Sequence, residues 1–223
     1  MMDKRWDYVL FDLDGTLTDS AEGILNCAEY ALERLGKPVP AREQLRPMLG
    51  PPLSQTFHSM FGLDEQQAEL GIRYYRERYS TVGLFENRPF EGIDKMLADL
   101  KSAGLRMGVA TSKPEPFSRR ILERFGLDKY FETITGCGLD GSLDTKAQVI
   151  EEALRRLGAE DKSRAVMVGD RCYDISGAKE AGLECIGVSW GFAEEGELEQ
   201  YGAIAVADSY SDLEELLTGA KDL

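Results

Sequence analysis

Asp12 and Asp14 stand two residues apart, directly after the apolar run 8–11. That run reads as a buried strand, and residues two apart on extended backbone face the same way. Two carboxylates on one side of a strand end repel each other. A cation or a shared proton resolves the repulsion. Gly15 follows and lets the chain turn sharply. Taken alone, the stretch also fits a strand ending in a turn, because Asp and Gly are common turn residues.

Other apolar runs end in polar groups of complementary chemistry. The run 106–110 leads into Thr111, Ser112 and Lys113. The run 165–168 leads into Gly169 and Asp170, with Asp174 four residues on. Lys146 opens a helical pattern after the Gly- and Asp-rich loop 136–144. Each has a plain structural role available. Thr111 could cap a helix, Lys146 could be a solvated helix residue, and Asp170 and Asp174 could mark a turn and a helix start. Those roles do not account for their order at successive strand ends, which is where open parallel sheets bind ligands. The single histidine, His58, falls in the amphipathic segment 53–61 and reads as a helix-surface residue. Acid–base or metal chemistry must therefore rest mainly on carboxylates.

The elements that must position these groups follow from periodicity. Short apolar runs at 8–11, 105–110, 131–134, 165–168, 185–188 and 203–206 predict buried strands. Between them, 92–103, 115–125, 145–157, 173–181 and 211–217 carry helical spacing, and Gly104, Gly126, Gly158 and Gly182 sit where helix C-terminal glycines belong. Alternating strands and helices predict an α/β fold, a doubly wound parallel sheet with a Rossmann-like core. The segment 20–86 breaks the alternation. It has no strand signal, and 21–35, 53–61 and 65–79 read as helices separated by prolines. The expected organisation is a core of 1–17 and 87–223 with an α-helical domain, 18–86, inserted after the first strand.

Composition narrows the function. A net charge of -14 argues against a phosphate-backbone contact with nucleic acid, which needs a basic face. No apolar run is long enough to span a bilayer, and the N-terminal stretch lacks the apolar core of a signal peptide. The four cysteines, Cys27, Cys137, Cys172 and Cys185, show no metal-ligand spacing and read as reduced thiols. The expectation is a cytoplasmic protein with no nucleic-acid or membrane partner, acting as a monomer or dimer.

Taken together, the ordered groups resemble the haloacid dehalogenase-like hydrolase superfamily. Its first motif, Asp-x-Asp-x-Thr, matches Asp12, Asp14 and Thr16; its second matches Thr111; its third matches Lys146; its fourth, Gly-Asp-x-x-x-Asp, matches Gly169, Asp170 and Asp174. The stretches 12–36, 88–92 and 169–182 resemble the phosphoglycolate phosphatase branch. The resemblance implies a helical cap over the site and a magnesium-dependent phosphatase acting on a small phosphorylated metabolite through an aspartyl-phosphate. It makes Asp12 the nucleophile and Asp14 the acid and base. Mg2+ would be held by the Asp12 and Asp170 carboxylates and the Asp14 carbonyl. Thr111 and Lys146 would bind the phosphoryl group, with backbone amides around Leu13, Thr111 and Ser112. Asp174 would orient Lys146 or the metal shell. Gly50, Pro51 and Pro52 fall where relatives carry a substrate-facing cap loop, and Arg46 and Lys113 are weaker substrate contacts. Trp190 either borders the site or packs.

Phosphoglycolate is the first expected substrate. A nucleoside 5′-monophosphate, as for a 5′-nucleotidase, is the alternative. A sugar phosphomutase of the same family typically carries a histidine early in the first cap helix, where this chain has Ile24, Asn26 and Cys27. A dehalogenase lacks the acid at Asp14. A receiver-type phosphoacceptor domain shares the acids, hydroxyl and lysine, but is about half as long and has no insertion after its first strand.

Overall fold

The computed structural model describes residues 5–51 and 53–219. The chain folds into two compact units, one of 1–18 with 89–223 and one of 19–88.

The first unit is built on a parallel sheet. In chain order it holds β1 (Tyr8–Phe11), then, after the chain leaves through β2 (Thr18–Asp19) and returns through β3 (Arg88–Pro89), α5 (Ile93–Ser102), β4 (Arg106–Pro114), α6 (Glu115–Phe125), β5 (Thr133–Cys137), α7 (Lys146–Leu157), β6 (Ala165–Gly169), α8 (Cys172–Ala181), β7 (Glu184–Val188), α9 (Glu197–Tyr201), β8 (Ala205–Ala207) and α10 (Tyr210–Thr218). The six-stranded sheet has the order β5-β4-β1-β6-β7-β8, every pairing parallel. Counting its strands along the chain gives 3-2-1-4-5-6, the doubly wound order whose direction reverses between β1 and β6. Asp12 continues that boundary, its N–H donating to Val168 O at 2.9 Å. The β1 side chains alternate as the pleat requires. Leu10 packs with Ile150, Leu154, Met167 and Ile175, while Val9 and Phe11 point to the opposite face and are equally buried.

Helix ends follow local chemistry. Thr145 caps α7 by accepting from Gln148 N, and Gln148 closes the capping box. The left-handed Gly158 ends it at φ +65°. Three strand expectations shift. β4 runs on to Pro114, past the expected end at 110, through a register irregularity between Thr111 and Pro114. β5 starts at Thr133 rather than 131 because a 3-10 turn, Asp128–Tyr130, claims the Phe131 N–H. β8 starts at Ala205 because Ala203 N closes the end of the unexpected short helix α9 on Leu198 O.

The second unit is helical: α1 (Ala21–Arg34), α2 (Arg42–Leu45), α3 (Leu53–Phe61) and α4 (Glu65–Tyr79). Its start and end lie close: a Cβ on Gly23 would fall 2.1 Å from Gly83 O and 2.8 Å from Glu86 O. Glu86 is held by a two-pronged pair with Arg78, at 2.6 and 2.8 Å. β2 and β3 pair as a two-stranded ribbon where the chain crosses between units. Gly50 and Pro51 are half-buried in the bend before α3, and Pro52 lies outside the described residues. His58 is exposed on α3, with Nδ1 3.1 Å from Leu63 O. No helix among the described residues is long and apolar enough to cross a membrane.

Candidate active site

The carboxyl ends of β1, β4 and β6 carry the groups that the sequence singles out. After β1 the chain folds back tightly: Leu17 N and Thr18 N both donate to Leu13 O at 3.0 Å, and Gly15 N donates to Thr18 O at 2.8 Å. Leu13 is fully buried beneath this turn. Gly15 takes φ +83°, and a Cβ there would lie 2.1 Å from Asp170 Oδ2. Glycine is required on both counts.

Around Asp12 the charges are densely packed. One carboxylate oxygen each from Asp12, Asp170 and Asp174 lies within 4.8 Å of the others. Lys146 Nζ bridges two of these acids, 2.9 Å from Asp12 Oδ1 and 2.7 Å from Asp174 Oδ1. Burial disfavours the lysine's charge, but Asp12 and Asp174 outweigh it and hold the ammonium above its ordinary range. Asp170 is fully buried. Thr16 Oγ1 donates to its Oδ1 at 3.0 Å and Phe192 N to its Oδ2 at 2.8 Å. Burial, then the charges of Asp174 and Asp12, push its carboxyl well above the usual range despite those donors. Asp174 is pushed up to about 6 by burial, with Lys146 pulling it down and Asp12 pushing it up. Its Oδ2 accepts from Arg171 N at 3.0 Å.

These residues fit a divalent cation. Three buried or half-buried carboxylates lie together with one lysine paired to two of them, and their oxygens are the hard donors magnesium prefers. Burial, and after it the charges of Asp174 and Asp12, raise the Asp170 carboxyl, and a cation would offset them. Glycines keep the space tight. A Cβ on Gly169 would lie 2.3 Å from Asp174 Cγ, and one on Gly191 2.3 Å from Asp170 Cβ.

Asp14 has a different partner. Its Oδ2 lies 2.6 Å from Lys113 Nζ, both side chains largely buried, and its Oδ1 is buried with no hydrogen-bond partner among the described residues. Lys113 lies within the register irregularity of β4 between Thr111 and Pro114. Thr111, also buried, accepts from Lys113 N at 3.2 Å, which leaves its hydroxyl proton to donate. Ser112 O accepts from Cys137 Sγ at 3.0 Å. Asp12, Leu13, Asp14, Thr16, Thr111, Ser112, Lys113, Lys146, Gly169, Asp170 and Asp174 all belong to the sheet-based unit, while Gly50 and Pro51 belong to the helical one.

Two supports went unforeseen. Glu197, on α9, accepts from Arg171 Nε at 2.9 Å and Cys172 N at 2.8 Å through Oε1, and from Glu194 N at 3.1 Å through Oε2. It ties down the residues that follow Asp170. Phe192 N holds Asp170 from a loop more than twenty residues away. No spacing rule in the sequence announces either contact. Trp190 donates from Nε1 to Thr16 O at 3.2 Å and packs edge-on against Tyr210, with ring centres 4.9 Å apart.

A family model described as haloacid dehalogenase-like hydrolase matches residues 9–188. A protein named 5′-nucleotidase from Pseudomonas aeruginosa is 43% identical over 197 residues, 88% of this chain and 89% of its own. A protein named tyrosine-protein kinase PtkA from Mycobacterium tuberculosis is 47% identical over 82% of this chain, which spans 62% of that protein. A crystal structure described as a predicted phosphatase from Clostridium acetobutylicum superposes with a TM-score of 0.90 at 43% identity, covering 94% of this chain and 97% of the other.

Proposed function

Because this chain belongs to the haloacid dehalogenase-like hydrolase family and is a phosphoric monoester hydrolase of it, we propose that it is a magnesium-dependent phosphatase of small metabolites, working through an aspartyl-phosphate on Asp12. The observation that carries the reading is the pairing of two motif aspartates with two different lysines, Asp12 with Lys146 and Asp14 with Lys113. That separation supports distinct roles for the two carboxylates.

Asp12 attacks phosphorus, and the bond from phosphorus to the leaving oxygen breaks as Asp14 gives that oxygen its proton. Asp14 then takes a proton from water as the water attacks the acyl phosphate, which releases inorganic phosphate and restores the Asp12 carboxylate. Thr111 donates its hydroxyl proton to a phosphoryl oxygen, and the Lys146 ammonium offsets charge on Asp12 and the transferring group. Backbone amides at Leu13, Thr111 and Ser112 supply further donors. Magnesium, held by the Asp12 and Asp170 carboxylates and the Asp14 carbonyl, would neutralise charge between nucleophile and phosphate. Asp174 holds Lys146 in place.

Phosphoglycolate is the preferred substrate in this reading. A nucleoside 5′-monophosphate is the second reading, favoured by the likeness to the Pseudomonas 5′-nucleotidase. The test is a panel of phosphoglycolate, nucleoside monophosphates, sugar phosphates, an aryl phosphate and a phosphotyrosine peptide, with magnesium and after chelation. Hydrolysis of a small monoester that disappears on chelation, and that calcium inhibits, supports the reading. Undiminished turnover without metal, or a phosphopeptide outrunning every metabolite, overturns it.

A further inference from the structure

We propose that Lys113 reads an anionic group on the leaving side of the substrate, so that the enzyme prefers phosphate esters whose leaving group carries a negative charge within a few bonds of the scissile oxygen. This rests on the phosphatase reading above and narrows its substrate class.

The argument begins with the cost of a buried lysine. Lys113 is 8% exposed, and long cationic side chains are rarely buried without a purpose or a partner. Its partner is Asp14, at 2.6 Å. The phosphate has its own cation and donor: Lys146 stands on Asp12 and Asp174, and Thr111 has a proton to give. Lys113 is therefore the cation on the acid–base side of the site, where the leaving group departs.

Reach follows from the same contact. A general acid works within about 3 Å of the oxygen it protonates. Lys113 Nζ touches one oxygen of Asp14, while the other, Oδ1, is buried and takes no hydrogen bond among the described residues. With Oδ1 on the leaving oxygen, Nζ stands within about 8 Å of that oxygen, on a stem with several rotatable bonds. A carboxylate one carbon from the leaving oxygen falls inside that radius, and so does the second phosphate of pyrophosphate. A nucleoside or an unmodified sugar offers only neutral hydroxyls there. An ammonium has three donors, so Lys113 can keep Asp14 and take a second oxyanion. The surrounding charge sharpens the choice. Asp12, Asp14, Asp170 and Asp174 repel any second anion that no cation receives, so an anionic leaving group without Lys113 is penalised.

The experiment compares phosphoglycolate with 2-hydroxyethyl phosphate, which keeps the same leaving oxygen and chain length but lacks the charge. Pyrophosphate forms a second anionic arm that separates a carboxylate from a phosphate as the recognised group. The wild type is expected to favour at least one anionic substrate over the neutral one by about 10- to 100-fold in kcat/KM, the scale of a charge-assisted hydrogen bond. Lys113→Met is expected to collapse that ratio toward one, and Lys113→Arg to restore part of it. A ratio that is unchanged in Lys113→Met, with both substrates slowed alike, shows that Lys113 serves only Asp14 and overturns the proposal. Should neither variant fold, as judged by circular dichroism, the wild-type ratio still decides: a preference below about threefold overturns it. An enzyme that hydrolyses an aryl phosphate without preferring anionic leaving groups sinks this inference alone. One that hydrolyses no phosphate ester sinks the phosphatase reading with it.

Discussion

The two sides of the site are organised on opposite electrostatic plans. On one side, Asp12, Asp170 and Asp174 crowd together, and a single lysine, Lys146, pairs with Asp12 and Asp174. On the other, Asp14 pairs with a different lysine, Lys113. The first holds more carboxylates than cations, and burial together with their mutual charge raises the carboxyls of Asp170 and Asp174. The second is balanced. A surplus that the fold keeps buried is a place for a cation, whereas a balanced pair suits a group that must exchange protons and meet a varied substrate. The largest effects should come from breaking the first plan.

Asp12→Asn should reduce turnover by at least about a thousandfold, since no other group can form the covalent intermediate. The variant should keep its fold, because Asp12 is half-buried and the amide removes one negative charge from a crowded cluster. Steady-state assays with circular dichroism check this. Activity within tenfold of the wild type in a correctly folded variant would falsify the assignment of the nucleophile.

The surplus itself makes a prediction about pH. The folded carboxyls of Asp170 and Asp174 are raised, Asp174 to about 6, while the unfolded values lie near the ordinary carboxylate range of about 4. Groups raised in this way contribute stability that is present below the unfolded value and lost as pH rises through the folded one. Metal-free protein should therefore lose thermal stability from about pH 4 upward through 6 on account of this cluster. Asp170→Asn should flatten that loss, and magnesium should oppose it in the wild type. Melting curves across pH, with and without magnesium, decide the matter. Parallel curves for wild type and Asp170→Asn would remove the case for stored repulsion.

Much of this arrangement could be read before the fold was in hand, for a definite reason. Asp12, Asp14, Thr111, Lys146, Asp170 and Asp174 sit just past apolar runs or at a helix start, and parallel sheets gather such positions at one edge. The absence of any strand run in 20–86 is what makes a helical insertion the expectation there. What escaped depends on contacts between distant segments. The extension of β4 to Pro114 arises from pairing with β5, which no local propensity encodes, and Lys113, which meets Asp14, lies within it. Glu197 lies on a five-residue helix flanked by left-handed Gly196 and Gly202, too short to show a period. Its function as an anchor exists only once α8 is in place.

That anchor offers a smaller test of the acidic side. Glu197→Gln keeps the shape of the side chain but weakens its grip on Arg171 Nε and Cys172 N. Asp170 should then be held less firmly. The expected result is about a threefold to tenfold weaker magnesium affinity by titration calorimetry, with a comparable loss in kcat/KM, in line with contacts that orient metal ligands. Asp14 lies outside this brace, so the preference between charged and neutral leaving groups should not change. A shift in that preference with magnesium affinity intact would show that the two sides are not separately supported.

The smallest effect should come from Trp190, which touches the turn between the two sides without carrying charge. Its indole N–H donates to Thr16 O, and its ring packs edge-on against Tyr210. Trp190→Phe keeps an aromatic ring for that packing but removes the donor. Losing one neutral hydrogen bond costs about 1 kcal/mol, and the ring change adds little when the edge-to-face contact persists. The Thr16 hydroxyl, which holds Asp170, acts through a different atom from the carbonyl that Trp190 meets. The variant should therefore show a lower denaturant midpoint and a kcat/KM within about threefold of the wild type for every substrate. A loss confined to nucleoside monophosphates, with stability unchanged, would instead make Trp190 a surface on which a base stacks and would move the substrate reading toward nucleotides.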